Sequence, residues 1–152
     1  MRRRLARIGT LDPGQRRVVA ASLVLVPAVQ LSLRLRGFGP TAGTLAARSH
    51  GPAVPAEPAE ARAAADAVAL VAGRSVVGAR CLGRSLVLWF LLRRHGVDAE
   101  LVIGVDAARG EALPAHAWVE LGGVPVNDAL DVRERFGSFD LRLPRLTGDA
   151  VR

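Results

Sequence analysis

An α+β fold is predicted by three features of this 152-residue sequence. Apolar segments with helical spacing come first, strand-like stretches follow them, and glycines mark the ends of both. Half of the residues are hydrophobic and 23% are charged, which excludes a wholly disordered chain. The length suits one domain with a sizeable core.

The first apolar run extends from Val18 to Leu33 and is interrupted only by Ser22, Pro27, Gln30 and Ser32. It predicts a helix with a kink near Pro27, where the ring removes a backbone donor. At about sixteen residues it falls short of the roughly 20 that span a bilayer, and arginines flank both ends, so no orientation is favoured. Val26-Pro27-Ala28 would be a poor signal-peptidase site. The expectation is a helix facing the core or a partner, with membrane-surface contact through residues 17–36. From Gly37 to about Glu57 the chain is rich in Gly, Pro, Ala and Ser and reads as a connector. Residues 1–57 are therefore expected to form an N-terminal helix and connector, and residues 58–152 the compact domain.

Pro58 to Gly73 holds strong helix formers, with Ala63, Val68 and Val71 sharing an apolar side and Gly73 as terminator. Residues 80–95 predict a third helix, apolar nearly all round from Leu86 to Leu92 and hence central to the core. Gly96 ends it, with Arg93, Arg94 and His95 in a last turn whose dipole favours cations. Three strands are then expected, at Ala99–Val105, Ala115–Leu121 and Val124–Asp128. In the second, His116, Trp118 and Glu120 alternate with Ala117, Val119 and Leu121.

The net charge of +7 comes from 21 basic residues, all arginine, against 14 acidic ones. The absence of lysine and tyrosine fits a uniform coding bias, so charge alone says little about partners. Nucleic-acid binding would call for aromatic stacking platforms or a reading motif on a basic face, and the six aromatic residues sit mostly in apolar surroundings. No nucleic acid is expected. One cysteine and three scattered histidines match no metal-ligand spacing, so no metal and no cofactor are expected either.

Cys81 stands at the start of the third helix, where unpaired N–H groups and the positive end of the macrodipole favour an anion. The thiolate is the nucleophilic form of cysteine, and it needs a base nearby. His50 lies in the connector. His95 lies at the far end of the same helix, about 20 Å away at 1.5 Å per residue. His116 is the remaining candidate, on a strand between the small residues Ala115 and Ala117. A base of this kind needs an acceptor on its other ring nitrogen. A two-residue loop at Gly122-Gly123 would set Asp128 opposite Ala117, whereas a three-residue loop including Leu121 would set it opposite His116. The three-residue loop is expected, with Asp131 and Asn127 as fallback acceptors.

Cysteine at a helix start, followed by histidine and aspartate on consecutive strands, resembles the transglutaminase-like branch of the papain-type cysteine enzymes. Within that branch, residues 76–139 look like the leader peptidase of lasso-peptide biosynthesis. The resemblance rests on CLGRSLVLWFLLRRHGVDAELVIGV (Cys81 to Val105), AHAWVELGGVPVND (Ala115 to Asp128) and RFGSFD (Arg135 to Asp140). It implies a papain-like core with the cysteine helix packed on an antiparallel sheet that carries His and Asp. It also implies that residues 58–152 are a cysteine protease domain with Cys81 as nucleophile, His116 as base and acid, and Asp128 as orienter. Some members carry an N-terminal winged-helix module, and nothing of that kind is visible before Cys81. The chain therefore resembles the stand-alone protease half. The implied partners are the precursor's leader peptide, a separate leader-recognition protein and a macrolactam synthetase, and the implied location is cytoplasmic or peripheral to the membrane.

Overall fold

A computed structural model describes residues 13–49, 56–73, 81–105 and 115–139. The basic start of the chain, His50, and the two ends of the resembling stretch (76–80 and 140) lie outside the described residues. Helices α1 (Pro13–Arg36), α2 (Phe38–Ala46), α3 (Pro58–Ala72) and α4 (Cys81–Arg94) precede strands β1 (Ala99–Val105), β2 (Ala115–Leu121) and β3 (Val124–Pro125). A short helix α5 (Val132–Arg135) and strand β4 (Gly137–Phe139) follow. The sheet is antiparallel in the order β3-β2-β1-β4. The α+β expectation holds, with helices packed on a small sheet.

Helix α1 is longer than its apolar run, at 24 residues. Pro13 suits a first helical position because that N–H needs no partner, and Arg34 and Arg36 lie in the last turn, where cations are favoured. Pro27 is tolerated because it lies on the exposed side together with Leu23, whose carbonyl loses its donor there. By length and composition α1 could cross a membrane, yet Val19, Ser22, Val26, Val29 and Gln30 are buried against the other helices. Leu23, Val24, Leu31 and Leu35 remain exposed on the opposite side.

Part of the expected connector is regular. Phe38–Ala46 is helical, because Pro40 falls in the first turn, where it does least harm, and Thr41, Ala42 and Leu45 are buried. The Thr41 hydroxyl donates to the Gly37 carbonyl at 2.7 Å and shares a hydrogen bond with Ser32 of α1 at 2.8 Å. In α3 the buried stripe is Ala61, Ala65, Val68 and Ala72 with Ala67 and Val71, and Ala63 lies outside it. Gly73 closes α3 in a right-handed conformation, its N–H on the Ala69 carbonyl.

Helix α4 is the centre of the core: every residue from Leu86 to Leu92 is buried. It ends in a Schellman arrangement, with the Val97 N–H on the Leu92 carbonyl and the Gly96 N–H on the Arg93 carbonyl, both at 3.0 Å. Arg93 pairs with Asp98 at 3.0 Å, and the Trp89 indole donates to the Ala99 carbonyl at 3.1 Å, so the helix is fixed to the start of β1.

Both faces of β2 are covered. Val119 and Leu121 join the helical core, whereas Trp118 belongs to a smaller cluster with Val102, Val132 and Phe136. Glu120 is fully buried on that second face, where the Trp118 indole donates to it at 2.6 Å and the Arg133 guanidinium grips both its oxygens. Removing the cation would leave a sequestered carboxylate with the indole as its remaining donor among these. Arg133→Met should therefore lower the unfolding free energy by about 2–3 kcal/mol, somewhat below the figure for a fully buried pair because part of the arginine is exposed. Adding Glu120→Gln should recover much of that loss in urea denaturation.

Candidate active site

The hairpin joining β2 to β3 has a two-residue loop, not the expected three. Leu121 pairs with Val124 and Glu120 with Pro125, and Gly122 and Gly123 have φ of 54° and 84°. Two consecutive positive φ values are the primed turn that suits strand twist, and adjacent glycines supply both without strain. A ladder continued in that register would set Asp128 opposite Ala117. It does not continue. After Val126 donates to the Val119 carbonyl at 2.9 Å the chain bends away, and the Asp128 carboxylate comes round to His116. The His116 Nε2 lies 2.5 Å from Asp128 Oδ2, while the Ala129 N–H donates to the other oxygen at 2.9 Å.

The imidazole is held on its flat sides too. Phe136 stacks on it with ring centres 4.8 Å apart, and Trp118 lies at 6.1 Å in a near-parallel plane. Gly104, which pairs with His116 across the ladder, makes room for this packing. A Cβ there would stand 2.9 Å from the Trp118 ring and 3.0 Å from Phe136.

Cys81 is the first residue of α4 and is partly exposed. Its thiol lies 4.0 Å from the carbonyl of Ala115, the residue before His116. One turn further along the helix, the Ser85 hydroxyl donates to the Ala117 carbonyl at 2.8 Å. Ser85 also accepts from the Asn127 side chain at 2.9 Å, and the same side chain accepts from the Val119 N–H at 2.7 Å. Cys81, His116 and Asp128 each stand one residue or one helical turn from a member of this network.

The fallback acceptors have other places. Asn127 is engaged in the network just described. Asp131 sits at the start of α5 and receives the Glu134 and Arg135 N–H groups on its carbonyl. His95 is exposed at the opposite end of α4 from Cys81. Two features escaped sequence reasoning: the Ser85–Asn127 link and the Glu120–Arg133 pair. The i+4 spacing of Ser85 from Cys81 was the available signal for the first; the second depended on burial of β2 on both faces.

A family model described as the transglutaminase-like superfamily matches residues 25–139. The microcin J25-processing protein McjB of Escherichia coli is 42% identical over 55 residues, which cover 36% of this chain and 25% of that protein. The chain thus matches about a quarter of the length of that relative. No solved structure matches it.

Ser85 is buried and serves two partners, so its loss strands the Asn127 amide and the Ala117 carbonyl. Ser85→Ala should lower stability by about 1–3 kcal/mol, measured by urea unfolding. Ser85→Thr, which keeps the hydroxyl, should lose less.

Proposed function

We propose, from the premise that this chain belongs to the transglutaminase-like superfamily, that it is a cysteine peptidase removing the leader from a ribosomally made lasso-peptide precursor. The observation that carries the reading is the 2.5 Å contact between His116 and Asp128, on the strand whose edge also receives the Cys81 thiol. The sequence resemblance to leader peptidases, and a relative named for processing microcin J25, support the choice of substrate.

The chemistry follows from the placement of the groups. With Nε2 held by Asp128, Nδ1 is the ring nitrogen left to take the thiol proton. The Cys81 sulfur then attacks the carbonyl at the leader-core junction. The tetrahedral oxyanion is stabilised by the Cys81 N–H at the mouth of α4. As the intermediate collapses, His116 gives its proton to the departing amine and a thioester remains. Water, deprotonated by His116, resolves the thioester into a carboxylate and a free thiol. Asp128 keeps the imidazole oriented and stabilises its charged form. An amine in place of water would make the same residues an acyl transferase, and product mass separates the two. In a non-catalytic scaffold, the remaining alternative, Cys81 would be dispensable.

On this reading the partners are the leader peptide, a separate leader-recognition protein and a macrolactam synthetase acting on the product, with the enzyme at work in the cytoplasm. The exposed stripe of Leu23, Val24, Leu31 and Leu35, on a helix with Arg16 and Arg17 near one end and Arg34 and Arg36 at the other, is the surface proposed to meet the recognition protein. A membrane surface is the second reading, favoured by the apolar length of α1. Because the other side of α1 is buried, single substitutions such as Leu31→Glu test the stripe better than deletion of the helix.

The decisive assay mixes the protein with a candidate precursor, with and without the recognition protein, and reads fragment masses. Cys81→Ala and thiol alkylation should abolish cleavage, and His116→Ala should do so without unfolding the protein. Asp128→Asn should slow turnover by roughly a thousandfold or more. A folded, fully active His116→Ala protein would refute the assigned base.

A further inference from the structure

A cleft of about 360 Å³ opens beside the site, between α3, α4 and the chain after β3. Its volume falls within the range of ligand sites, roughly 300–1,000 Å³. Arg62 and Asp66 of α3, Arg84 and Leu88 of α4, Val126 and Asp128 are among the residues that line it. We propose that this cleft is a subsite for an acidic side chain of the peptide substrate, whose carboxylate is received by Arg84 and Arg62. The ligand assignment rests on the peptidase reading above.

The position is right for a substrate pocket. Arg84 stands three residues after Cys81, hence on a neighbouring strip of the same helix, and Asp128 forms part of the cleft wall. A peptide with its scissile carbonyl at Cys81 would bring a nearby side chain to this opening.

Among the described residues, the basic groups of the cleft are not paired with its own acids. The Arg84 Nε is shielded from solvent and has no hydrogen-bond partner. Guanidinium is always charged and acts only as donor, so with Nε closed off from solvent the part of Arg84 that lines the cleft is where an acceptor would bind. Neighbouring acids do not supply one. Both oxygens of Asp128 are engaged, by His116 and by the Ala129 N–H. No ion pair joins Arg62, Asp66 and Arg84 among the described residues. The first turn of α4 adds the positive end of a 14-residue helix. Leu88, Val126 and the alanines of α3 supply an apolar floor, where methylenes fit and charge-assisted hydrogen bonds gain strength.

The test uses the full chain carrying Cys81→Ala, labelled with ¹⁵N-arginine, so that binding is read without turnover. The probe is acetyl-Gly-Glu-Gly-amide, compared with its Gln and Lys counterparts. The Glu peptide should move the Arg84 Nε–H resonance, assigned through Arg84→Lys, and bind about tenfold more tightly than the Gln peptide. Arg62→Gln, at an exposed position, should reduce that preference without unfolding the protein; Arg84→Gln should remove it. Equal affinity for the Glu and Gln peptides, or a preference untouched by both arginine substitutions, would overturn the subsite. Failure of the precursor to be cleaved by the unsubstituted protein would count against the peptidase reading and leave this binding result intact.

Discussion

The hydroxyl of Ser85 is the joint on which the site depends. One small side chain donates to β2 at Ala117 and accepts from Asn127, which is bonded in turn to β2 at Val119. Helix, strand and return chain are thereby tied at one buried point, and the residue next to each tie, or one turn from it, is a member of the proposed triad. Apolar contacts between α4 and the sheet give the attraction, but they are not directional and tolerate small slides. Hydrogen bonds to successive strand positions do not. They fix the axial position of α4, and with it the distance from the Cys81 sulfur to the His116 ring.

The second face of the sheet fixes the ring itself. Phe136 and Trp118 flank the imidazole, Asp128 takes one of its nitrogens, and Gly104 leaves the room that the aromatic groups need. Glu120, two residues along the strand, accepts the Trp118 indole N–H and is itself held by Arg133 of α5. A buried ion pair is a weak source of net stability, because desolvation opposes the Coulomb attraction. Its effect here is directional: it orients an aromatic side chain that borders the His116 imidazole. The proposed catalytic side of the strand is thus built from polar anchors laid over a small apolar cluster, distinct from the larger helical core.

Much of this was legible in the sequence. The all-round apolarity of Leu86–Leu92 marked α4 as central, alternation in AHAWVEL marked β2, and the position of Cys81 at the start of α4 made its thiol a candidate nucleophile. What failed was reasoning that extended one local rule too far. The strand-pairing rule holds only while the ladder lasts, so opposing His116 with Asp128 demanded a three-residue loop that the chain does not use. The two-glycine loop was the better local choice, and a bend beyond Val126 did the work assigned to the turn. Likewise, Pro and Gly in residues 38–46 argued for irregular chain, yet their places in a first turn and on an exposed side left a helix free to form. Strand β4 and the Glu120–Arg133 pair depend on contacts distant in sequence, which periodicity does not report.

The shortness of β3 is what makes these requirements compatible. The carbonyls of Ala115, Ala117 and Val119 point to one edge of β2, because alternate residues of a strand share a direction. Val126 uses the Val119 carbonyl, and there the ladder stops. The two carbonyls beyond it are taken instead by side chains from successive turns of α4, Ser85 on Ala117 and Cys81 against Ala115. A longer β3 would cover those carbonyls with backbone, push α4 off the strand edge and send Asp128 to the register opposite Ala117. Ending the strand after two residues opens the edge to the helix and releases the following chain to bend. A single truncation of the ladder therefore serves both halves of the proposed site, leaving the Ala115 carbonyl to the Cys81 thiol and letting the Asp128 carboxylate reach His116.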